Sequence, residues 1–342
     1  MPVKFTFIFI VLFLVGLISF IKFTSQTKVI SPGNTQVVQQ VAKLDPLSIE
    51  VMRQRSYPGS DFIIEQTLAD GSNYHQYVAS YLSEGLKIYG LLTVPIGDRP
   101  QNGWPVIIFN HGYIPPTQYR TTERYVAYVD GFARSGYIVF KSDYRGHGSS
   151  EGQPEGAYYS PAYTVDILNA LAAVKKYKDT DPSKIGMWGH SLGGNITLRS
   201  LAVSPDIRVA VIWGGVVGTY DDLMNNWQRR VTYTPPPNEL ALRNRSRADL
   251  ISKYGTPGIN PDFWNSIDPN FHLDLVNAPV QLNAGLSDEE VPWQFSQGLQ
   301  DRLEKEGKTV ELYTYPGTDH NISQSFNSAM QHSLDFFNKY LK

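Results

Sequence analysis

Gly189-His190-Ser191-Leu192-Gly193 lies between a short apolar run, Lys184-Ile185-Gly186-Met187-Trp188, and a helix-like stretch that opens Gly194-Asn195-Ile196. In the order strand, tight turn and helix, Gly-x-Ser-x-Gly marks a nucleophile. The serine backbone is expected to be strained, and a Cβ at Gly189 or Gly193 to collide with the neighbouring strand or helix. The helix that follows would offer its first backbone N–H groups to a developing oxyanion. A glycine-rich turn carrying an idle serine is spelled the same way, so the rest of the chain has to supply a base, an acid and a second oxyanion donor.

The chain has 342 residues, 42% of them hydrophobic and 13% aromatic, enough for one large α/β core. A formal charge of −2 gives no electrostatic case for nucleic acid as a partner. There is no cysteine, which excludes disulfides, a thiol nucleophile and thiolate metal sites. Phe5 to Ile21 is apolar apart from Thr6, Gly16 and Ser19, with Lys4 before it and Lys22 after it. That length is at the short end of a membrane span, and the bulky Phe20-Ile21-Lys22-Phe23 offers no small-residue cleavage site. Residues 1–23 are expected to be an N-terminal membrane anchor holding an extracytoplasmic catalytic domain, with secretion after signal cleavage as the alternative. Residues 24–60 read as a linker and lead-in, containing Ser31-Pro32-Gly33-Asn34 and a short helix within Leu44 to Tyr57.

Residues 61–342 are expected to form one α/β domain. Alternation in Tyr74 to Tyr81, a turn at Ser83-Glu84-Gly85 and the run Leu86 to Val94 predict an antiparallel hairpin. From there strand and helix alternate. Strands are expected at Pro105–Phe109, Tyr137–Lys141, Lys184–Trp188, Arg208–Trp213, Pro279–Asn283 and Val310–Tyr315. Helices are expected at Thr121–Ser135, Pro161–Tyr177, Leu192–Val203, Trp293–Glu306 and Ile322–Leu341. Repeated βα units give a mostly parallel central sheet with helices on both faces. Gly218 to Asp274 is too long for an ordinary crossover and reads as a mostly helical insertion. It starts and ends near the carboxyl ends of strands, where ligands bind in such sheets, and is expected to cap the site.

A serine hydroxyl needs a base, and the base needs a group to orient it. Downstream of Ser191 lie His272, in the insertion, His320, directly after the last strand, and His332, inside the final helix. His320 is the expected base. Asp288, in the loop after the strand ending at Asn283, is the expected acid, with Glu289 and Asp319 as competitors. The oxyanion donors are expected to be the Leu192 N–H, beside the nucleophile, and the Tyr113 N–H, in the loop after Pro105–Phe109. His111 is expected to pack beneath that loop. No metal and no cofactor enters this scheme.

Asn110-His111-Gly112-Tyr113, Asp143-Tyr144-Arg145-Gly146-His147-Gly148-Ser149-Ser150, Gly189-His190-Ser191-Leu192-Gly193-Gly194 and the Asp288 and His320 loops together resemble the α/β-hydrolase superfamily. The resemblance is narrower to the prolyl-oligopeptidase (S9) catalytic domain and its esterase-like relatives. It implies an α/β-hydrolase fold, a serine hydrolase of esters or short peptides, and a structural role for residues 143–150, held by Arg145. Two departures stand out. The stretch before Tyr74 leaves no room for the oligopeptidase β-propeller, and Asn110 occupies the start of the oxyanion loop, where such peptidases often carry tyrosine. Esterase and S9-type peptidase are the two leading expectations. A non-catalytic scaffold and acyl transfer to an acceptor other than water complete the set.

Overall fold

The computed structural model describes residues 44–155, 158–228 and 237–342. The expected anchor at 1–23 and most of the linker lie outside the described residues. Among the described residues, no helix is long and apolar enough to cross a membrane.

Nine strands form one sheet: β1 (Ile63–Thr67), β2 (Tyr74–Ser83), β3 (Leu86–Pro95), β4 (Trp104–Asn110), β5 (Ile138–Ser142), β6 (Thr180–His190), β7 (Val209–Trp213), β8 (Val280–Gly285) and β9 (Val310–Tyr315). Their order is β1-β2-β3-β5-β4-β6-β7-β8-β9. The first three pair antiparallel, as does β3 with β5; from β5 to β9 every pairing is parallel. The helices are α1 (Ile49–Gln54), α2 (Val126–Arg134), α3 (Ala162–Lys176), α4 (Leu192–Val203), α5 (Pro237–Tyr254), α6 (Pro261–Ile267), α7 (Gln294–Lys305) and α8 (Phe326–Leu341).

The period-two alternation of the strands sorts their side chains into two cores. Val106, Ile108, Ile138, Phe140, Ile185, Met187, Ala210 and Ile212 face α3, α4 and α7 through Ile167, Leu171, Leu198, Leu201, Leu299 and Leu303. Ile107, Phe109, Val139, Trp188, Val209, Val211 and Trp213 face α2 and α8 through Val129, Phe132, Phe336, Phe337 and Leu341. All twelve residues of α4 are buried, so the helix behind the serine is fixed along its whole length.

The structure departs from the sequence reading at three places. β1 was not expected: it is an edge strand whose five residues are all exposed, so it carries no alternation. The helix expected from Thr121 starts only at Val126, because Tyr125 takes a left-handed conformation, φ 62° and ψ 24°. The final helix starts at Phe326, after a single 3-10 turn at Ser323–Ser325. Within the described part of the insertion, Tyr220, Leu250, Phe263, Trp264 and Ile267 make a small core of their own, with Leu47 packed against it. Tyr254 adds a hydrogen bond to Asp45 at 2.5 Å. The insertion also reaches the loop after β8, where the Trp227 indole N–H donates to the Glu290 carbonyl at 2.8 Å.

Candidate active site

Ser191 stands between β6 and α4 with φ 55° and ψ −117°, a strained conformation for a non-glycine residue. Backbone pairing holds it there: the Ser191 N–H donates to the Trp213 carbonyl and the Val216 N–H to the Ser191 carbonyl, both at 3.0 Å. Both flanking glycines are required for space. A Cβ on Gly193 would lie 1.9 Å from the Asn110 carbonyl oxygen of β4, and one on Gly189 would lie 2.4 Å from the Gly193 carbonyl oxygen of α4. Leu192 is the first residue of α4, so its N–H has no acceptor within the helix.

His320 and Asp288 come from the loops after β9 and β8, neighbours in the sheet. The His320 Nδ1–H donates to Asp288 Oδ2 at 2.7 Å, with both side chains nearly excluded from water. Asp288 Oδ1 accepts the Glu290 and Val291 N–H groups at 2.8 and 2.9 Å, so the carboxylate is held on both oxygens. Asp319, one of its rivals, instead accepts from the Ser323 N–H and hydroxyl, both at 2.9 Å, and starts the final helical segment. Glu289 is exposed. His332 bonds the Tyr315 hydroxyl and stacks on Tyr313, and His272 bonds the Asn265 carbonyl.

Ser191, His320, Gly112 and Tyr113 line one cleft of about 270 Å³, together with Ile114, Arg124, Tyr125, Tyr128, His190, Glu290 and Asn321. Beneath the Gly112–Tyr113 loop, His111 is fully buried, with its ring stacked between Tyr119 and Tyr144 at 4.6 and 4.2 Å. Burial holds its pKa well below the usual histidine range. His147 stands edge-on to the same rings and is pushed down to about 4, again by burial. These two histidines are neutral wedges. Asn110 is fully buried and its amide donates to Thr197 Oγ1 of α4 at 2.8 Å, which ties the strand before the loop to the helix behind the serine.

The 143–150 segment is fastened by charge. The Arg145 guanidinium forks onto Asp166 of α3 at 2.8 and 3.1 Å and also reaches Glu84 at 3.0 Å. Asp143 accepts from the Tyr119 and Thr121 hydroxyls at 2.9 and 2.5 Å, and burial raises its carboxyl to about 6. Asp166 is absent from the residues expected above, although an aspartate in the apolar run Val165-Asp166-Ile167-Leu168 is a signal for a buried partner. Tyr125 is absent from them too, and nothing local gives a signal for it. A larger groove, of about 530 Å³, lies between α1, α3 and the end of α4. Its cations are already engaged: Arg53 with the Ala202 carbonyl, Arg55 with Glu84, Lys175 with Asp206 and Lys176 with the Pro58 carbonyl.

A mostly parallel sheet with a hairpin at one edge and a strained serine between β6 and α4 defines an α/β-hydrolase. The prolyl oligopeptidase family signature matches residues 124–342, more than half of the chain, and the chain belongs to that family. It is 25% identical over 262 residues to the uncharacterised peptidase YtmA of Bacillus subtilis (strain 168), covering 75% of this chain and 91% of that one. Among solved structures, an acetyl xylan esterase from Paenibacillus sp. R4 superposes with a TM-score of 0.62 at 16% identity, over 86% of this chain and 92% of that one. The acylaminoacyl peptidase of Pyrococcus horikoshii does so with 0.61 at 20% identity, over 79% of this chain and 43% of that one. At these identities the structural likeness is one of fold. The chain is a serine-type hydrolase with both peptidases and esterases among its relatives.

Proposed function

We propose that this protein hydrolyses small carboxylic esters through an acyl-enzyme on Ser191. The observation that carries the reading is the Asp288–His320 pair, closed at 2.7 Å, whose histidine lines the same cleft as the strained serine. His320 donates a hydrogen bond from Nδ1–H to Asp288, which leaves Nε2 as the proton acceptor. Ser191 Oγ attacks the ester carbonyl as its proton passes to Nε2. The tetrahedral oxyanion is taken by the Leu192 and Tyr113 N–H groups. His320 then gives the proton to the leaving alkoxide, and water repeats the sequence on the acyl-enzyme.

A second reading, hydrolysis of short peptides, is favoured by the likeness to YtmA over most of both chains. Against it, Asn110 carries no phenol at the start of the oxyanion loop and its amide is spent on Thr197. The test is labelling of Ser191 by a fluorophosphonate, followed by kcat/KM on p-nitrophenyl acetate and on aminoacyl p-nitroanilides. The proposal expects labelling of the wild type, none of Ser191→Ala, and a higher kcat/KM on the ester. Absence of labelling overturns the nucleophile, and preference for the anilides overturns the ester. Residues 218–274 are proposed to cap the cleft, on the support of the Trp227 contact to the Glu290 carbonyl. Residues 1–23 are proposed to tether the domain to a membrane with the site on its outer side, on the strength of their apolar sequence; release of the full chain from membranes by salt alone would overturn the tether.

A further inference from the structure

We infer that Tyr125 and His190 are positioning residues, linked in a directed hydrogen-bond relay that ties together the loops carrying the proposed oxyanion donor, nucleophile and base. The relay runs across the cleft. The Gly112 N–H lies 2.9 Å from the Tyr125 hydroxyl oxygen, that oxygen lies 2.7 Å from His190 Nδ1, and His190 Nε2 lies 3.1 Å from the His320 carbonyl oxygen. Gly112 precedes the proposed oxyanion donor Tyr113, His190 precedes the nucleophile, and His320 is the proposed base. One chain of three hydrogen bonds therefore reaches the oxyanion loop, the nucleophile turn and the loop of the base.

The direction of each bond follows from what each group can do. A carbonyl oxygen only accepts, so His190 Nε2 must carry a proton. The ring is buried and lies 4.6 Å, centroid to centroid, from the His320 ring. Burial first, and the neighbouring imidazole second, lower its pKa to about 3, so it holds one proton only. Nδ1 is therefore bare and must accept from the Tyr125 O–H. The Tyr125 oxygen in turn accepts from the Gly112 N–H. Every proton has one place, and neither the tyrosine hydroxyl nor the Gly112 N–H is left over for an oxyanion. Neither group therefore competes with the Leu192 and Tyr113 N–H groups of the proposed mechanism. A neutral His190 also matters for the reaction: His320 becomes an imidazolium during the transfer, and a second cation in ring contact with it would oppose that charge.

Two further observations point the same way. Tyr125 is held at φ 62°, a costly conformation for a bulky residue, which persists only where its surroundings over-determine it. At position 112, a Cβ would lie 2.6 Å from the Tyr125 hydroxyl, 3.1 Å from His190 Nδ1 and 3.2 Å from the Ser191 Cβ, so the relay leaves room for glycine alone.

The inference rests on the ester-hydrolase reading for its kinetic arm and is independent of it for its spectroscopic arm. In the full chain, Tyr125→Phe, His190→Gln and the double variant are compared on p-nitrophenyl acetate, with rates expressed per fluorophosphonate-titrated site. Each single change is expected to lower kcat about 10- to 100-fold with KM moved less than about threefold, and the double to be within about threefold of the worse single, because the residues act as one unit. Tyr137→Phe is the control. It deletes another buried tyrosine hydroxyl, one bonded to Asn338 Oδ1 at 2.8 Å, and is expected to move the melting temperature with kcat unchanged. A Tyr125→Phe kcat within about twofold of wild type, or singles that multiply in the double, overturns the relay. Histidine-selective 15N NMR of the wild type at neutral pH reads the proton order directly. A neutral His190 ring protonated at Nε2 is expected; the Nδ1–H tautomer or an imidazolium overturns the relay even if the protein proves inert toward esters. An inert, unlabelled wild type with the expected His190 tautomer overturns only the function.

Discussion

Two buried carboxylates in this domain each hold a nitrogen base as partner, and they do opposite things. Asp288 is gripped by two backbone N–H groups and faces His320 at 2.7 Å. Asp166 is gripped by the Arg145 N–H at 2.9 Å and the Ser83 hydroxyl at 2.7 Å, and faces the Arg145 guanidinium. The difference lies in the partner. An imidazole gains and loses a proton near neutral pH, so the first pair is able to take part in a transfer. A guanidinium never gives up its proton, so the second pair is able only to hold, and it holds the 143–150 segment onto α3 and Glu84. The setting agrees with the partner: one pair stands on loops at the cleft, the other between a helix and a hairpin turn.

This contrast is open to direct attack. The largest effect is expected at the first pair. Asp288→Asn leaves the His320 tautomer unsupported and is expected to lower kcat roughly 10⁴-fold, with little change in melting temperature. Near-wild-type turnover there, or a comparable loss in Asp319→Asn, would move the orienting role elsewhere. Next comes Arg145→Met, which strands Asp166 as a buried, unpaired charge. Chemical denaturation is expected to show a loss of about 3–5 kcal/mol, while kcat per folded molecule stays closer to wild type than in Asp288→Asn. If that ranking inverts, the division between transferring and holding fails.

A smaller effect concerns pH. His147 titrates at about 4 when folded, against 6.5 for a free imidazole. Below about pH 6.5 the unfolded chain takes a proton that the native state refuses, so the stability linked to His147 is present above that pH and is lost as pH falls toward 4. His111 and His190 act with the same sign. Asp143, raised to about 6 by burial, acts with the opposite sign. His147→Asn is expected to flatten the fall in stability between pH 7 and pH 4.5 by on the order of 2 kcal/mol, measured by urea unfolding at each pH. The smallest effect is expected at an ion pair in solvent. Lys175→Ala breaks the half-exposed contact with Asp206 and is expected to cost less than about 0.5 kcal/mol. A cost like that of Arg145→Met would show that burial is not what separates these pairs.

How legible was this in the sequence? The loops that carry Ser191, Asp288 and His320 are legible because each is short and follows an apolar run, and turn chemistry is local. The helix α4 was placed at both ends for the same reason. β1 could not be read, because an exposed edge strand has no buried face to impose alternation. The start of α2 is not legible, because the left-handed backbone of Tyr125 has no local sequence signal and its hydroxyl partners, Gly112 and His190, lie elsewhere in the chain. Arg145 was expected to hold its loop, but its partners, Asp166 and Glu84, come from α3 and the hairpin turn, and only the fold brings them together. What depends on local turn chemistry is legible, and partners such as Asp166 and Glu84, brought in from other elements without a local signal for the pairing, are not.

The left-handed backbone at Ser191 carries a consequence for how such a protein can be improved. A non-glycine residue at φ 55° costs on the order of 1–3 kcal/mol relative to a relaxed one. Ser191→Gly would release that strain and, by lifting the hydroxyl away, end any acyl chemistry at the site. Selection for heat resistance alone would therefore favour an inert protein at this one position, and selection for turnover would restore the weaker fold. On the proposed mechanism residue 191 is where the two pressures meet, and a thermostability screen run without an activity filter would admit Ser191→Gly.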